Sequence, residues 1–261
     1  MLEKVIGCEV ERFPLHRKDG YTIDLERMME RIATGPDLVV LVNPNSRTGR
    51  GLMAREVCML LEAASSRTRF WIDETYIDYT GESVEQMVSR HENLIVCKSM
   101  SKAYALSGMR VAYLCAAPHH LEELRAFTPP WVVGLPSQVA AVKALEHANY
   151  YERRWKETVL LRSALAIDLG GMGWEVIPGS ANFLLAHLPE EGPSAGEVVA
   201  ACRGRGLFLR DAAAMGASLD DGAIRVAVKD AATNRKMIGI LSDIAGSTAR
   251  AARASLARCA S

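Results

Sequence analysis

Through the first two thirds of the chain, short runs of consecutive apolar residues alternate with polar clusters and with stretches whose apolar positions recur every three or four residues. The runs are Asp37 to Val42 (DLVVLV), Phe70 to Ile72 (FWI, continuing to Tyr76), Asn93 to Cys97 (NLIVC) and Arg110 to Cys115 (RVAYLC). Being apolar at successive positions, they predict strands of a sheet covered on both faces. Between the first two, Ala54 to Ser65 carries Val57, Leu60, Leu61 and Ala64 at the spacing of a core-facing helix stripe. Strand and helix in alternation predict a three-layer, doubly wound α/β unit with a mostly parallel sheet.

The pattern then changes. From Pro136 to about Leu169 it stays helical, and Gly170, Gly171 and Gly173 end it. Next come an expected strand at Trp174 to Ile177, a strand at Ala181 to Ala186, a helix at Ala195 to Arg203, strands at Leu207 to Leu209 and Ala223 to Val228, and a helix at Ala231 to Ala245. This order predicts a smaller α+β unit, with the division near 148: residues 1–148 form the large unit and 149–261 the small one. The Ala/Arg/Ser-rich tail from Ser247 to Ser261 extends the last helix or frays, and carries no functional signal.

Composition narrows the partners. The 261 residues are 49% hydrophobic and 24% charged, with 31 Lys+Arg against 31 Asp+Glu. That balance supplies no long-range field for nucleic acid or an anionic membrane, so a small-molecule partner is expected. The opening MLEKVIGCEVERF has no signal-peptide core, and no run reaches the ~18 apolar residues of a membrane span, which predicts a cytoplasmic protein. Six cysteines without a CxxC pair read as reduced structural thiols, and the six histidines, in expected helices or loops without matched carboxylates, as structural or solvent-facing. No metal site is expected.

In an open α/β sheet the ligand lies beyond the carboxyl ends of the strands. There the first run delivers NPNSRTG (43–49), the second DETY (73–76) and the third KSMSK (98–102), followed by Gly108 and Arg110. A lysine, an aspartate, a tyrosine, two serines and an arginine at one crevice match the needs of pyridoxal phosphate: an amine for the aldehyde, a carboxylate for the pyridine nitrogen, and hydroxyls with a guanidinium for the phosphate.

With NPNSRTG, DETY and SMSKAYALSGMR in this order, Lys102 29 positions after Asp73 and Arg110 8 after Lys102, the chain resembles the fold-type I pyridoxal-phosphate aminotransferases, and among them the histidinol-phosphate aminotransferase branch. The resemblance implies that Lys102 carries the cofactor as a Schiff base, that Asp73 pairs with the pyridine nitrogen, that Tyr76 bonds the ring hydroxyl, and that Ser99, Ser101 and Arg110 bind the phosphate. Burial of Lys102 among Met100, Ala103, Tyr104, Ala105 and Leu106 would favour the neutral amine, which could also act as general base. Arg225, the one charge in the strand pattern AIRVAV, can grip a substrate carboxylate with two hydrogen bonds. The family pattern adds Arg210 and Asn182 as substrate contacts, and a homodimer.

Each residue also has a plainer reading. Asp73 could cap the turn after its strand, Tyr76 and Tyr79 could be core aromatics, Ser99 and Ser101 could stabilise a turn, and Arg225 could pair with Asp220 or Asp221. The chain departs from the family where Asn-Pro would precede Thr-Gly, having Ser46 and Arg47 instead, so either Asn45 or Ser46 takes the contact to the cofactor ring. The resemblance also begins well inside the family pattern. It implies that the first quarter is missing, through truncation, degeneration or completion by another chain, and that apolar edges are left open. Three functions follow as expectations: an aminotransferase, a decarboxylase of a phosphorylated amino acid resembling the threonine-phosphate decarboxylases, or a catalytically silent fragment.

Overall fold

The computed structural model describes residues 2–216 and 218–259, with side chains described for 3–216 and 218–245. After a wide helical turn at Leu2–Ile6 and an extended segment, α1 (Leu25–Ala33) starts at Asp24, whose carboxylate accepts the Arg27 N–H at 3.1 Å. The first sheet follows: β1 (Leu38–Val42), α2 (Ala54–Ala63), β2 (Arg69–Asp73), β3 (Leu94–Ser99) and β4 (Ala112–Ala116). Its strands stand in the order β1-β2-β3-β4, parallel through β3 with β4 antiparallel.

Alternation along the strands sends Phe70, Ile72, Leu94 and Val96 to one face, where Met28 and Ile32 of α1 and Val57, Leu60 and Leu61 of α2 close a core. Removing a fully buried ring such as Phe70 would cost about 3–5 kcal/mol. The opposite face differs from the expectation of two covered faces: Leu38 and Val40 of β1 are 45% and 50% exposed. On that side β1 is half-exposed, while Val39 and Leu41 of the same strand face the core.

Helices α3 (Pro118–Phe127), α4 (Leu135–Glu146) and α5 (Ala148–Gly171) come next. The stretch expected as one continuous helix is broken at His147, whose φ of −105° and ψ of 39° end α4 before α5 begins. Phe127, Trp131, Leu135, Val139 and Val142 are all exposed.

The second sheet contains β5 (Glu175–Ile177), β6 (Phe183–His187), β7 (Arg210–Asp211) and β8 (Ala223–Ala227), with α6 (Ala195–Arg203) between β6 and β7 and α7 (Ala231–Cys259) after β8. Its order is β5-β6-β8-β7, all antiparallel. Leu165 and Leu169 of α5, Val198 and Val199 of α6 and Met237 and Leu241 of α7 pack with Leu184, Ala186, Ile224 and Val226. The Ser194-x-x-Glu197 pair forms a reciprocal cap on α6. The strand expected at Leu207 to Leu209 instead begins at Arg210: Gly206 turns at φ +74°, the Leu207 N–H goes back to Cys202, and the ladder starts at Arg210↔Arg225. The tail from Ser247 continues α7 to Cys259, and its side chains lie outside the described residues.

The segment before β1 packs on the second sheet. Tyr21 is wholly buried among Ile177, Leu185, Ala212, Leu219 and Ala223, and Arg17 bonds Glu175 at 2.5 Å and Asp220 at 2.7 Å. His187 corrects the expectation for histidines: it lies in strand β6, fully buried, between the Asp220 carboxylate at 2.9 Å and the Tyr21 hydroxyl at 3.1 Å. The two halves also meet at a glycine seam. Gly49 has φ +76°, the Ser180 N–H donates to its carbonyl at 2.9 Å, and a side chain on Gly179 would come within 3.2 Å of the Gly49 backbone.

Candidate active site

The loop after β1 is built by two asparagines. The buried Asn43 side chain closes its ends, donating to the Leu52 carbonyl at 3.0 Å and accepting the Leu52 N–H at 2.7 Å. The Asn45 carboxamide oxygen accepts the N–H groups of Arg47 at 3.0 Å and Thr48 at 3.1 Å, which fixes the turn. The Asn45 oxygen is therefore committed to the loop, and Ser46 lines a cavity.

After β2, two adjacent acids diverge. Glu74 is buried, accepting from the Ser83 hydroxyl at 2.6 Å and the Val84 N–H at 2.8 Å, with the Lys98 ammonium 3.7 Å away. Burial raises its carboxyl above the ordinary value against those three favourable contacts. Lys98 is itself held by Glu85 at 2.9 Å and Ser83 at 3.2 Å. Asp73 stays at the strand end. One of its oxygens accepts the Thr75 N–H at 2.9 Å as well as the Thr75 hydroxyl, and no donor among the described residues bonds the other. It thus caps its turn and still has one oxygen free. Tyr76 is buried edge-on against Phe183, ring centroids 5.5 Å apart, and burial raises its hydroxyl pKa while the nearby Arg225 opposes.

At the end of β3 the Ser99 and Ser101 hydroxyls lie 2.8 Å apart. The β3–β4 ladder runs to Ser99↔Ala112 and continues with the Met100 N–H on the Val111 carbonyl, so extending the register sets Ser101 opposite Arg110. Parallel pairing puts Asp73 beside Cys97, two positions before Ser99. Arg110 has φ +51°, unusual for a residue with a side chain, and donates to the Ser107 carbonyl at 3.1 Å. Lys102 overturns one expectation: Met100 and Ala103 turn inward, but Lys102 is on the outer side of the turn and exposed, so the burial invoked for its amine is absent. Its loop is nevertheless held. The Trp155 indole of α5 donates to the Ala103 carbonyl at 2.8 Å, and the Tyr79 hydroxyl reaches the Lys102 carbonyl at 3.4 Å. Burial pushes Tyr79 to about 12, opposed by its hydrogen bond with Asn182. Asn182 thus lies beside Tyr79.

From the second sheet Arg225 reaches across, donating to the Ser46 carbonyl at 2.6 Å with its guanidinium 4.6 Å from the Phe183 ring centroid. It does not pair with Asp220, which is occupied by Arg17 and His187. Partial burial holds the Arg225 guanidinium below its ordinary value, Tyr76 opposing and Arg210 adding to the effect. Ser46, Arg47, Arg210, Asp211 and Arg225 line a cavity of about 420 Å³. Sequence reasoning missed Arg47, Trp155 and the Tyr79–Asn182 link. The Trp155 and Tyr79 contacts depend on tertiary pairings without local signal, whereas Arg47 stood in a motif already singled out.

These residues fit pyridoxal phosphate by their chemistry: paired hydroxyls and an arginine at one end of a ladder, a carboxylate with a free oxygen one strand away, and an amine on a held turn with no carboxylate bonded to it among the described residues. Such a donor set on a mixed, largely parallel sheet has the fold-type I arrangement of the pyridoxal-phosphate enzymes.

The comparisons with known proteins agree. The family model for aminotransferase class I and II matches residues 4–241, so the chain belongs to that family. A histidinol-phosphate aminotransferase 2 from Archaeoglobus fulgidus is 33% identical over 227 residues, covering 87% of this chain and 63% of the relative; the chain thus spans less than two thirds of that relative's length. Among solved structures, a decarboxylase from Sulfurospirillum multivorans superposes with a TM-score of 0.83 at 26% identity, covering 91% of this chain and 70% of the other. The histidinol-phosphate aminotransferase from Sinorhizobium meliloti, solved in complex with pyridoxal-5'-phosphate, has the same fold, with a TM-score of 0.78 at 21% identity over 86% of this chain and 61% of the other. Family and fold support pyridoxal phosphate as the cofactor. Among the described residues, no helix is long and apolar enough to cross a membrane.

Proposed function

We propose that the chain works as a pyridoxal-phosphate-dependent aminotransferase, moving an amino group between an amino acid such as glutamate and a 2-oxo acid or phosphorylated carbonyl compound, as in the histidinol-phosphate aminotransferases it resembles. The observation that carries this reading is the sorting of charged residues at the strand ends: Glu74 and Lys98 are consumed in a buried ion pair, which leaves Asp73 and Lys102 for chemistry. The proposal includes the division into a cofactor-binding part, 1–148, and a smaller part, 149–261, and a cytoplasmic homodimer as in the family.

In this reading Lys102 holds the cofactor and moves the proton between the substrate α-carbon and the cofactor. Asp73, with its free oxygen, keeps the pyridine nitrogen protonated, and the bound cofactor supplies the electron sink. Tyr76 bonds the ring hydroxyl together with either Ser46 or the Asn45 amide N–H group, the Asn45 oxygen being spent on its turn. Ser99, Ser101 and Arg110 take the phosphate, Arg225 takes the substrate carboxylate, and Arg210 and Asn182 border the substrate.

A second reading, decarboxylation of a phosphorylated amino acid, is favoured by the superposition on a decarboxylase. Incubating the cofactor-loaded chain with a panel of amino acids and assaying oxo acid and carbon dioxide decides between the two. Oxo acid without carbon dioxide supports transfer, carbon dioxide supports decarboxylation, and neither product supports a silent fragment.

A further inference from the structure

Lys102 is exposed, so burial does not direct its long side chain, and where its amine stands depends on the backbone turn from which it projects. That turn is costly to hold by itself. Ala105 has φ +56°, a left-handed conformation disfavoured for a residue with a Cβ. The turn closes through the Ala105 N–H on the Lys102 carbonyl and the Leu106 N–H on the Met100 carbonyl, each at 3.1 Å.

Support comes from outside the turn, chiefly from α5. The Trp155 indole N–H donates to the Ala103 carbonyl at 2.8 Å, and the Tyr79 hydroxyl reaches the Lys102 carbonyl at 3.4 Å. Tyr104, the next residue of the turn, sits edge-on against Trp155 with ring centroids 5.4 Å apart and lies 4.9 Å from the Tyr151 ring. Helix α5 is itself anchored beyond this contact. Arg162, two helical turns on from Trp155, donates to the Ser180 and Ala181 carbonyls at 2.7 and 3.0 Å, and Leu165 and Leu169 are sealed in the second core. The turn therefore rests against a fixed point.

We propose that Trp155 is a positioning residue for Lys102: with Tyr79 it clamps two consecutive carbonyls of the turn and so fixes where the amine stands for the cofactor aldehyde. The inference rests on the reading of Lys102 as the cofactor lysine and adds the residue that orients it. A residue that only filled space would act through its ring, whereas a positioning role lies in the indole N–H. Trp155→Phe keeps an aromatic ring beside Tyr104 and leaves the carbonyl of the buried Ala103 without its donor.

The test compares the full chain as wild type, Trp155→Phe, Tyr79→Phe and, as a control, Tyr21→Phe, which breaks a buried hydrogen bond to His187 elsewhere in the molecule. Hydrogen exchange of the Ala105 and Leu106 amides is measured before cofactor is added, and pyridoxal phosphate is then titrated in, with its Schiff base followed by absorbance. In Trp155→Phe both amides exchange about tenfold faster and the cofactor binds about tenfold more weakly, the ratio expected when a buried carbonyl loses its donor. Tyr79→Phe shifts both readouts in the same direction by about threefold, in keeping with its longer bond, and decides the matter if Trp155→Phe does not fold. Tyr21→Phe changes neither. Unchanged exchange, faster exchange with unchanged cofactor affinity, or an equal response in Tyr21→Phe overturns the inference alone. Failure of the aminotransferase reading is seen separately, as a wild-type chain that forms no Schiff base on Lys102, and it takes the positioning role with it.

Discussion

The Arg225 guanidinium donates to the Ser46 main-chain carbonyl at 2.6 Å across 179 positions of sequence. This bond joins the second sheet to the loop after β1, and Arg225 also lines the cavity. Arg225→Lys keeps the charge but loses the planar fork, so under the proposed aminotransferase activity KM for the amino donor rises about 10- to 100-fold, in line with about 1.5–3 kcal/mol for a charged hydrogen bond. Steady-state kinetics check this, and a KM unchanged within twofold removes Arg225 from substrate binding.

The glycine seam has a stability consequence. An added Cβ at Gly179 meets Gly49 Cα and C and the Thr48 carbonyl oxygen at 3.2 Å, all backbone atoms that cannot swing aside. Gly179→Ala therefore costs about 1–3 kcal/mol by overpacking, read from urea denaturation.

Acid stability is tied to Asp220. Partial burial disfavours its charge, but hydrogen bonds and charges from His187 and Arg17 outweigh this and hold its carboxyl below the usual 3.8. A lowered carboxyl contributes stability that is present above the unfolded value and lost as pH falls through the folded one. Asp220→Asn should thus lower stability near neutrality and flatten the decline below about pH 4. Chemical denaturation across pH checks it; an acid limb as steep as that of wild type contradicts the assignment.

Tyr21→Phe removes the hydroxyl from the buried His187 Nε2. Leaving that atom unpaired costs about 1–3 kcal/mol, without effect on cofactor binding.

The exposed Leu38 and Val40 invite association. The double variant Leu38→Thr/Val40→Thr keeps strand-favouring side chains and loses less than about 1 kcal/mol of stability, while light scattering shows less concentration-dependent association.

Much of this was legible in the sequence. The strand runs at β1 to β4 and the α6 bounds, Ala195 to Arg203, follow from apolar periodicity, and the motif order is what proposes Asp73, Ser99, Ser101 and Lys102 as site residues. Three features were not legible. Solvent on one face of β1 is a property of what packs over it, and the run LVVLV reads the same either way. The exposure of Lys102 depends on which way a turn faces, which its apolar neighbours do not dictate. His187 looked unpartnered because Asp220 and Tyr21 are 33 and 166 positions away.

The central claim is that Lys102, and not the neighbouring Lys98, carries the cofactor. Adding pyridoxal phosphate, reducing with borohydride and mapping the modified peptide by mass spectrometry tests it most directly. The label is predicted on Lys102 in the wild-type chain and absent from Lys102→Ala; a label on Lys98, or no label on either lysine, would contradict it.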